Sequence, residues 1–211
     1  MILNFDDINN KYKLNIKGVI HIGAHYGEEH STYRNNNINN IVYFEPLSNN
    51  FRILESNVGS EAILYNLALG SEEKEVEMFV ETANNGQSCS ILEPILHKQQ
   101  YPYITFDSKE LVKVKRLDDV IEDYSKYNFI NIDVQGYELE VFKGSKKILN
   151  NIDYIISEIN RDELYKNCTK IEELKTFLSE YNFILVEEDW MGGTWGDGLF
   201  IKEYLLNEEK N

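Results

Sequence analysis

Three carboxylates and one run of small residues carry most of the chemistry available to this sequence. Asp133 follows the apolar run Phe129-Ile-Asn-Ile132, and Gly136 and Glu138 come directly after it. A carboxylate where a buried strand exits into a loop stands where parallel sheets place ligand chemistry. Gly136 permits a tight turn there, and Glu138 then opens a helix. The next apolar run, Tyr154 to Ile159, ends in Glu158 and Asn160. Both alternate with Ile159, so both can point away from the apolar face. Asp133 and Glu158, with Glu138 behind them, are the candidates for orienting or deprotonating an acceptor hydroxyl, and Asn160 is a candidate acceptor contact. The first two would also suit Mg²⁺, although nothing in the sequence demands a metal. The competing readings are ordinary: Asp118 and Glu138 as acids that start helices, Glu158 and Asn160 as a polar strand end.

A second constellation lies earlier. In Val19-Ile-His-Ile-Gly23-Ala24-His25-Tyr26-Gly27-Glu28 an apolar strand ends in a small-residue turn, with a helix expected from about Glu28. Gly23 and Ala24 let the backbone approach a ligand, and the helix start offers free N–H groups to a carboxylate. The pattern is not the G-x-G-x-x-G of dinucleotide enzymes. Glu45-Pro46 closes the next apolar run about 20 residues past Gly23, the offset at which an acid accepts both ribose hydroxyls of a nucleoside. Leu67 and Ala68, at the end of a third run, would border the base. His21 reads as a packed strand residue, His25 as the better placed for ligand contact, and His30 and His97 as surface residues. Trp190 and Trp195, in a Gly-rich loop, are candidates for stacking on a sugar face.

These residues need a scaffold, and the chain supplies one. Strand-sized apolar runs recur at Val19–Ile22, Ile41–Phe44, Ala62–Leu67, Phe129–Ile132, Tyr154–Ile159, Phe183–Val186 and Leu199–Ile201, with helices expected at Ser48–Asn57, Asp118–Tyr124, Glu138–Leu149 and Ile171–Tyr181. Asp118 reads as an N-cap. Continuous apolar runs alternating with helices imply an α/β fold with a doubly wound, mostly parallel sheet. Lys74–Val80 alternates as an extra edge strand. Residues 81–112 break the rhythm and read as an insertion or lid. All 211 residues form one expected domain, with 1–17 as lead-in and 203–211 as a C-terminal tail. Asp plus Glu outnumber Lys plus Arg by 36 to 21, a net charge of −15, which argues against nucleic acid as partner. No apolar run is long enough to span a bilayer, and the N-terminus lacks the pattern of a signal peptide, so a cytoplasmic protein is expected. Oligomeric state is not legible.

Over Arg116 to Leu149 the chain resembles the FkbM family of methyltransferases, through Leu117-Asp118-Asp119 and Ile132-Asp133-Val134-Gln135-Gly136-Tyr137-Glu138 with Gly144. The likeness extends more loosely across residues 18–202, including Gly23-Ala24-x-x-Gly27, Phe44-Glu45-Pro46 and Asn66-Leu67-Ala68-Leu69-Gly70. The resemblance implies a class I methyltransferase fold of seven strands with the last antiparallel. It also implies S-adenosylmethionine as donor and O-methylation, often of sugars or natural products, as activity. The chain departs from the family pattern at His21, where an acid is common, and at His25, where Asn is common. Contacts to the methionine moiety would then fall to Glu28 or Asp133. Two other readings stand beside this one: a non-catalytic module that binds the nucleoside, and an NAD-dependent oxidoreductase.

Overall fold

Every residue of Gly18–Ile22 (β1) and four of five in Asn40–Phe44 (β2) are buried, as parallel strands covered on both faces must be. The computed structural model describes residues 2–208. The strands that follow are Ile63–Tyr65 (β3), Ala68–Leu69 (β4), Lys74–Val80 (β5), Ser108–Lys115 (β6), Phe129–Ile132 (β7), Tyr154–Asn160 (β8), Phe183–Met191 (β9) and Trp195–Lys202 (β10). Seven of them form one sheet in the order β3-β2-β1-β7-β8-β10-β9. Neighbours from β3 to β8 run parallel, and β10 lies antiparallel between β8 and β9. The doubly wound, mostly parallel sheet is the one the apolar runs imply, and the antiparallel last strand is the one the family resemblance implies.

The order reverses between β1 and β7, whose shared register sets His21 beside Asn131. A crevice opens at the carboxyl ends of the strands at such a reversal. The helices are Phe5–Tyr12 (α1), His30–Asn35 (α2), Ser48–Val58 (α3), Leu96–Gln100 (α4), Leu117–Val120 (α5), Glu138–Lys143 (α6), Ile171–Ser179 (α7) and Glu203–Glu208 (α8). Apolar side chains from α1, α2 and α3 pack one face of the sheet, among them Phe5, Tyr33 and Leu54. Those of α5, α6 and α7, such as Leu117, Phe142 and Leu178, pack the other. Among the described residues no helix is long and apolar enough to cross a membrane. Of the expected C-terminal tail, 203–208 form α8; residues 209–211, like Met1 of the lead-in, lie outside the described residues.

Several expectations need correction. Lys74–Val80 is an edge strand, but of a separate three-stranded sheet in the order β4-β6-β5. Its middle strand, β6, begins inside the stretch read as irregular, because buried Val112 and Val114 alternate with exposed Leu111 and Lys113. Asp118 is not an N-cap, since Arg116 holds that position. Its carboxylate instead accepts the backbone N–H of Lys147 and Ile148 at 3.0–3.1 Å, while the Gly144 carbonyl accepts the N–H of Asp118 at 3.1 Å. A continuous helix would direct those two N–H groups to Lys143 and Gly144. Diverting them ends α6 at Lys143, well before Leu149.

Gly23 ends β1 with φ at 78°, and a Cβ there would lie 1.8 Å from the Asp133 carbonyl oxygen. Backbone meets backbone at this point, so nothing flexible can move aside. Gly193 has a similar φ of 82° with nothing within 4 Å of an added Cβ. Urea unfolding is expected to show Gly193→Ala costing about 1 kcal/mol, the conformational penalty alone, and Gly23→Ala costing at least ~2 kcal/mol more. Equal costs would contradict the close approach of these two strand ends.

Candidate active site

A cavity of ≈ 670 Å³ opens at the carboxyl ends of β1, β2, β7 and β8. Gly23, Ala24, His25, Glu28, Glu45, Pro46, Leu67 and Ala68 line one end of it, and Asp133, Glu158 and Trp195 also face it. Tyr26, Gly27, Glu138, Asn160 and Trp190 do not line it, so the sequence grouping is divided.

The turn after β1 is held by its own donors. Gly23 and Ala24 both donate N–H to the Phe44 carbonyl, at 2.9 and 3.0 Å, and Gly27 donates to Ala24 at 2.8 Å. The N–H of His25 goes to Glu45 at 2.9 Å and that of Tyr26 to Glu28 at 3.2 Å. From Gly23 to Gly27 the N–H groups are thus engaged inside the protein, and this part of the turn offers a ligand shape rather than donors. His25 takes a left-handed φ of 49° and stacks on Tyr26 with ring centroids 3.7 Å apart. Its Nδ1 lies 2.6 Å from Glu28 and its Nε2 2.8 Å from the Asn85 carbonyl. Burial works to lower its pKa, but these two acceptors outweigh it and hold the ring toward the protonated form.

Glu45 is buried and accepts one backbone N–H on each carboxylate oxygen, from His25 and from Leu47, both at 2.9 Å. Burial nonetheless pushes its carboxyl up to about 7. Each oxygen keeps a second lone pair, so the group can accept two further hydrogen bonds from a vicinal diol.

At the other end, one amide joins two carboxylates. Gln135 follows Asp133 in the turn after β7 and has φ at 54°. Its Nε2 donates to Asp133 at 2.7 Å and to Glu158 at 2.6 Å. Asn160 donates to the second oxygen of Glu158 at 3.0 Å, and so supports the site from behind the cavity wall. Burial, and then the charges of Asp133 and Glu138, push the Glu158 carboxyl well above the usual range. Tyr165 Oη lies 2.8 Å from both Gln135 Oε1 and the Ser88 carbonyl, and its single proton can serve only one of them at a time.

Glu138, expected near the reacting groups, is fully buried and clamps the turn instead: its Oε1 accepts the N–H of Val134 at 3.2 Å and of Gly136 at 3.0 Å. Burial pushes this carboxyl up to about 7. Trp190 is covered by the Arg161 guanidinium, 3.6 Å from its ring, rather than open to a ligand. Trp195 lines the cavity and donates from Nε1 to Tyr101 at 2.9 Å. His97 is not a surface residue. It is buried with its ring 5.0–5.4 Å from those of Tyr101, Phe106 and Tyr165. His30 also packs inward, against the Tyr43 hydroxyl at 3.1 Å. His21 is buried as expected, with Nδ1 3.3 Å from the Tyr33 hydroxyl. Within 81–112, buried Glu81 accepts N–H groups from Asn84 and Ser88, a loop closure that brings Asn84, Gln87 and Ser88 to the cavity.

Sequence reasoning missed Gln135 as a bridge, and missed Tyr165, His97 and Tyr101. Gln135 stood inside a motif already singled out; Tyr165 meets it only through the fold, with no local signal. Among the described residues no three His, Cys, Asp or Glu side chains are grouped to hold a metal ion.

Residues 21–185 match the model of the methyltransferase FkbM domain. Over 99 residues the chain is 29% identical to the 2-O-methyltransferase NoeI of Sinorhizobium fredii, covering 46% of this chain and 41% of that protein. Over 92 residues it is 27% identical to the hexuronic acid methyltransferase AglP of Haloferax volcanii, covering 43% and 38%. The matched segments therefore span about two fifths of these relatives. In fold, the chain is similar to Sp1610 of Streptococcus pneumoniae, a putative tRNA (m1A22) methyltransferase, at a TM-score of 0.51 and 10% identity, covering 95% of this chain and 71% of that one. A protein of the NADB-Rossmann superfamily from Streptococcus agalactiae superposes at 0.53 with 10% identity, covering 96% and 69%.

Glu45 and Glu138 are carboxyls whose folded-state pKa lies above the unfolded value. The stability each contributes is full below the unfolded pKa, near 4.3, and is lost as pH rises through about 7. Glu138→Gln removes one such group while keeping an oxygen for the turn. Thermal unfolding is expected to show the variant gaining on the parent as pH goes from 5.5 to 8. A difference in Tm that stays constant across that range would count against a buried, protonated Glu138.

Proposed function

We propose, from the premise that this chain belongs to the FkbM methyltransferase family, that it transfers the methyl group of S-adenosylmethionine to a hydroxyl of a small-molecule or saccharide acceptor. The observation that carries this reading is the Asp133–Gln135–Glu158 bridge, set in the same cavity as Glu45. The acceptor class is supported by the names of the two relatives, a 2-O-methyltransferase and a hexuronic acid methyltransferase. The net charge of −15 favours a small acceptor over a nucleic acid.

The cavity suits the donor. Glu45 has lone pairs left for two ribose hydroxyls, Leu67 and Ala68 supply an apolar border for the base, and the surrounding carboxylates favour a sulfonium cation. When bound, the donor supplies an electrophilic methyl carbon. The chain's own residues do the rest. Gln135 fixes Asp133 and Glu158 at one side of the cavity, where they orient the acceptor hydroxyl. Ionised Glu158 takes the hydroxyl proton onto a carboxylate oxygen as the acceptor oxygen bonds to the methyl carbon and the carbon–sulfur bond breaks, its electron pair leaving with sulfur as S-adenosylhomocysteine. Its raised pKa makes it a stronger base than an exposed glutamate. Glu138 and Asn160 are positioning residues, one for the turn and one for Glu158. Positioning supplies much of the rate in a displacement of this kind, because nucleophile and carbon must be held in line and dry.

Calorimetry with S-adenosylhomocysteine and turnover with S-adenosylmethionine test the two ends separately. Glu45→Ala is expected to weaken binding at least five-fold, about 1 kcal/mol. Glu158→Gln is expected to bind within about two-fold of the parent and to lose at least ~10²-fold in turnover. Binding of NAD in preference to either adenosyl ligand would contradict the proposal.

A further inference from the structure

Charge and apolar surface are unevenly shared in this cavity. Five carboxylates line it, those of Glu28, Glu29, Glu45, Asp133 and Glu158, and among the described residues no lysine or arginine does. Nor do the histidines supply a free cation. Burial lowers the pKa of His21 and of His97, and the one ring held toward the protonated form, His25, already faces Glu28 at 2.6 Å. A carboxylate, phosphate or sulfate on an acceptor would meet these carboxylates with no lysine or arginine of the described residues beside it, in surroundings that screen poorly, whereas the donor's own carboxylate comes with the ammonium and sulfonium cations of the same molecule.

The wall beyond Gln135 has a different character. Trp195 and Tyr101 both line the cavity and are joined by the 2.9 Å bond from the indole N–H. The His97 ring packs 5.0 Å from Tyr101 and 5.3 Å from Tyr165. Tyr165 in turn reaches Gln135, the residue that holds Asp133 and Glu158. The aromatic surface is therefore coupled to the carboxylates that handle the acceptor proton. Aromatic faces accept the C–H face of a sugar ring, and carboxylates accept its hydroxyl donors.

We propose that the acceptor is a neutral saccharide, bearing no carboxylate, phosphate or sulfate, seated against Tyr101 and Trp195, and that the cavity discriminates against uronates and sugar nucleotides. Rejection by unpaired like charge is as much a source of specificity as attraction. The inference rests on the O-methyltransferase reading of the same site and narrows it.

The test pairs common methyl pyranosides and short neutral glycans with their uronate counterparts and with nucleoside-diphosphate sugars, reading release of S-adenosylhomocysteine. The expected result is kcat/KM at least ten-fold higher for a neutral member than for its uronate. Trp195→Ala should raise KM for that acceptor at least ten-fold, and Trp195→Phe should recover most of it. Neither should change S-adenosylhomocysteine binding by calorimetry, which also reports that the variants fold. Equal or better turnover of a uronate or sugar nucleotide overturns the proposal, as does donor binding with turnover of no neutral member. Failure of the parent to bind S-adenosylhomocysteine would instead remove the methyltransferase reading beneath it.

Discussion

Two carboxylates at the ends of adjacent parallel strands repel each other, and in a buried site that repulsion has to be managed. Here a neutral amide does so. Gln135 spends both protons of one nitrogen on Asp133 and Glu158, and among the described residues no lysine or arginine lines the cavity beside them. The arrangement leaves the pair short of counter-charge, which is why burial and mutual charge drive Glu158 toward its protonated form. Much of the surrounding structure follows from this. Gln135 must adopt a left-handed backbone to reach both acids, the Glu138 carboxyl must clamp the turn that imposes it, and Tyr165 must fix the amide from the opposite side.

The Glu45 end of the cavity obeys a different constraint. From Gly23 to Gly27 the turn after β1 satisfies its N–H groups through Phe44, Ala24, Glu45 and Glu28, so its shape is held by the protein's own hydrogen bonds. That rigidity costs the turn its free donors, and leaves recognition to the remaining lone pairs of Glu45 and to shape. A site built this way binds through acceptors at both ends. Such a surface suits a cation and hydroxyl groups and is hostile to anions.

How much of this was legible in the sequence depended on the range of the interaction. The strands of the main sheet showed in their apolar runs because burial on both faces leaves a local mark. Glu45 and Asp133 were placed by their position at strand ends, a rule of topology rather than of contact. β6 was overlooked because the irregular residues before it hid a clear alternation at Val112 and Val114. The early end of α6 was not readable, since it depends on Asp118 capturing N–H groups 29 and 30 residues away. Tyr165 reaches Gln135 over a sequence separation of 30, and Trp195 reaches Tyr101 over one of 94. The aromatic wall is for that reason a property of the fold. Trp190, alike in sequence to Trp195, is withdrawn from the cavity by Arg161, and no local pattern distinguishes the two.

The central claim is that the Gln135 amide sets the protonation of Glu158, the carboxylate proposed to take the acceptor's proton. The most direct measurement is the pH–rate profile of Gln135→Met, a side chain of similar length with no proton to give, beside that of the parent. With the bridge gone, the two acids face each other unscreened, the proton is held more tightly, and the acid limb of the profile should move to higher pH, with activity regained in alkali and S-adenosylhomocysteine binding unchanged. An acid limb that stays where it was, with the rate lowered equally at every pH, would contradict the account and leave Gln135 as packing alone.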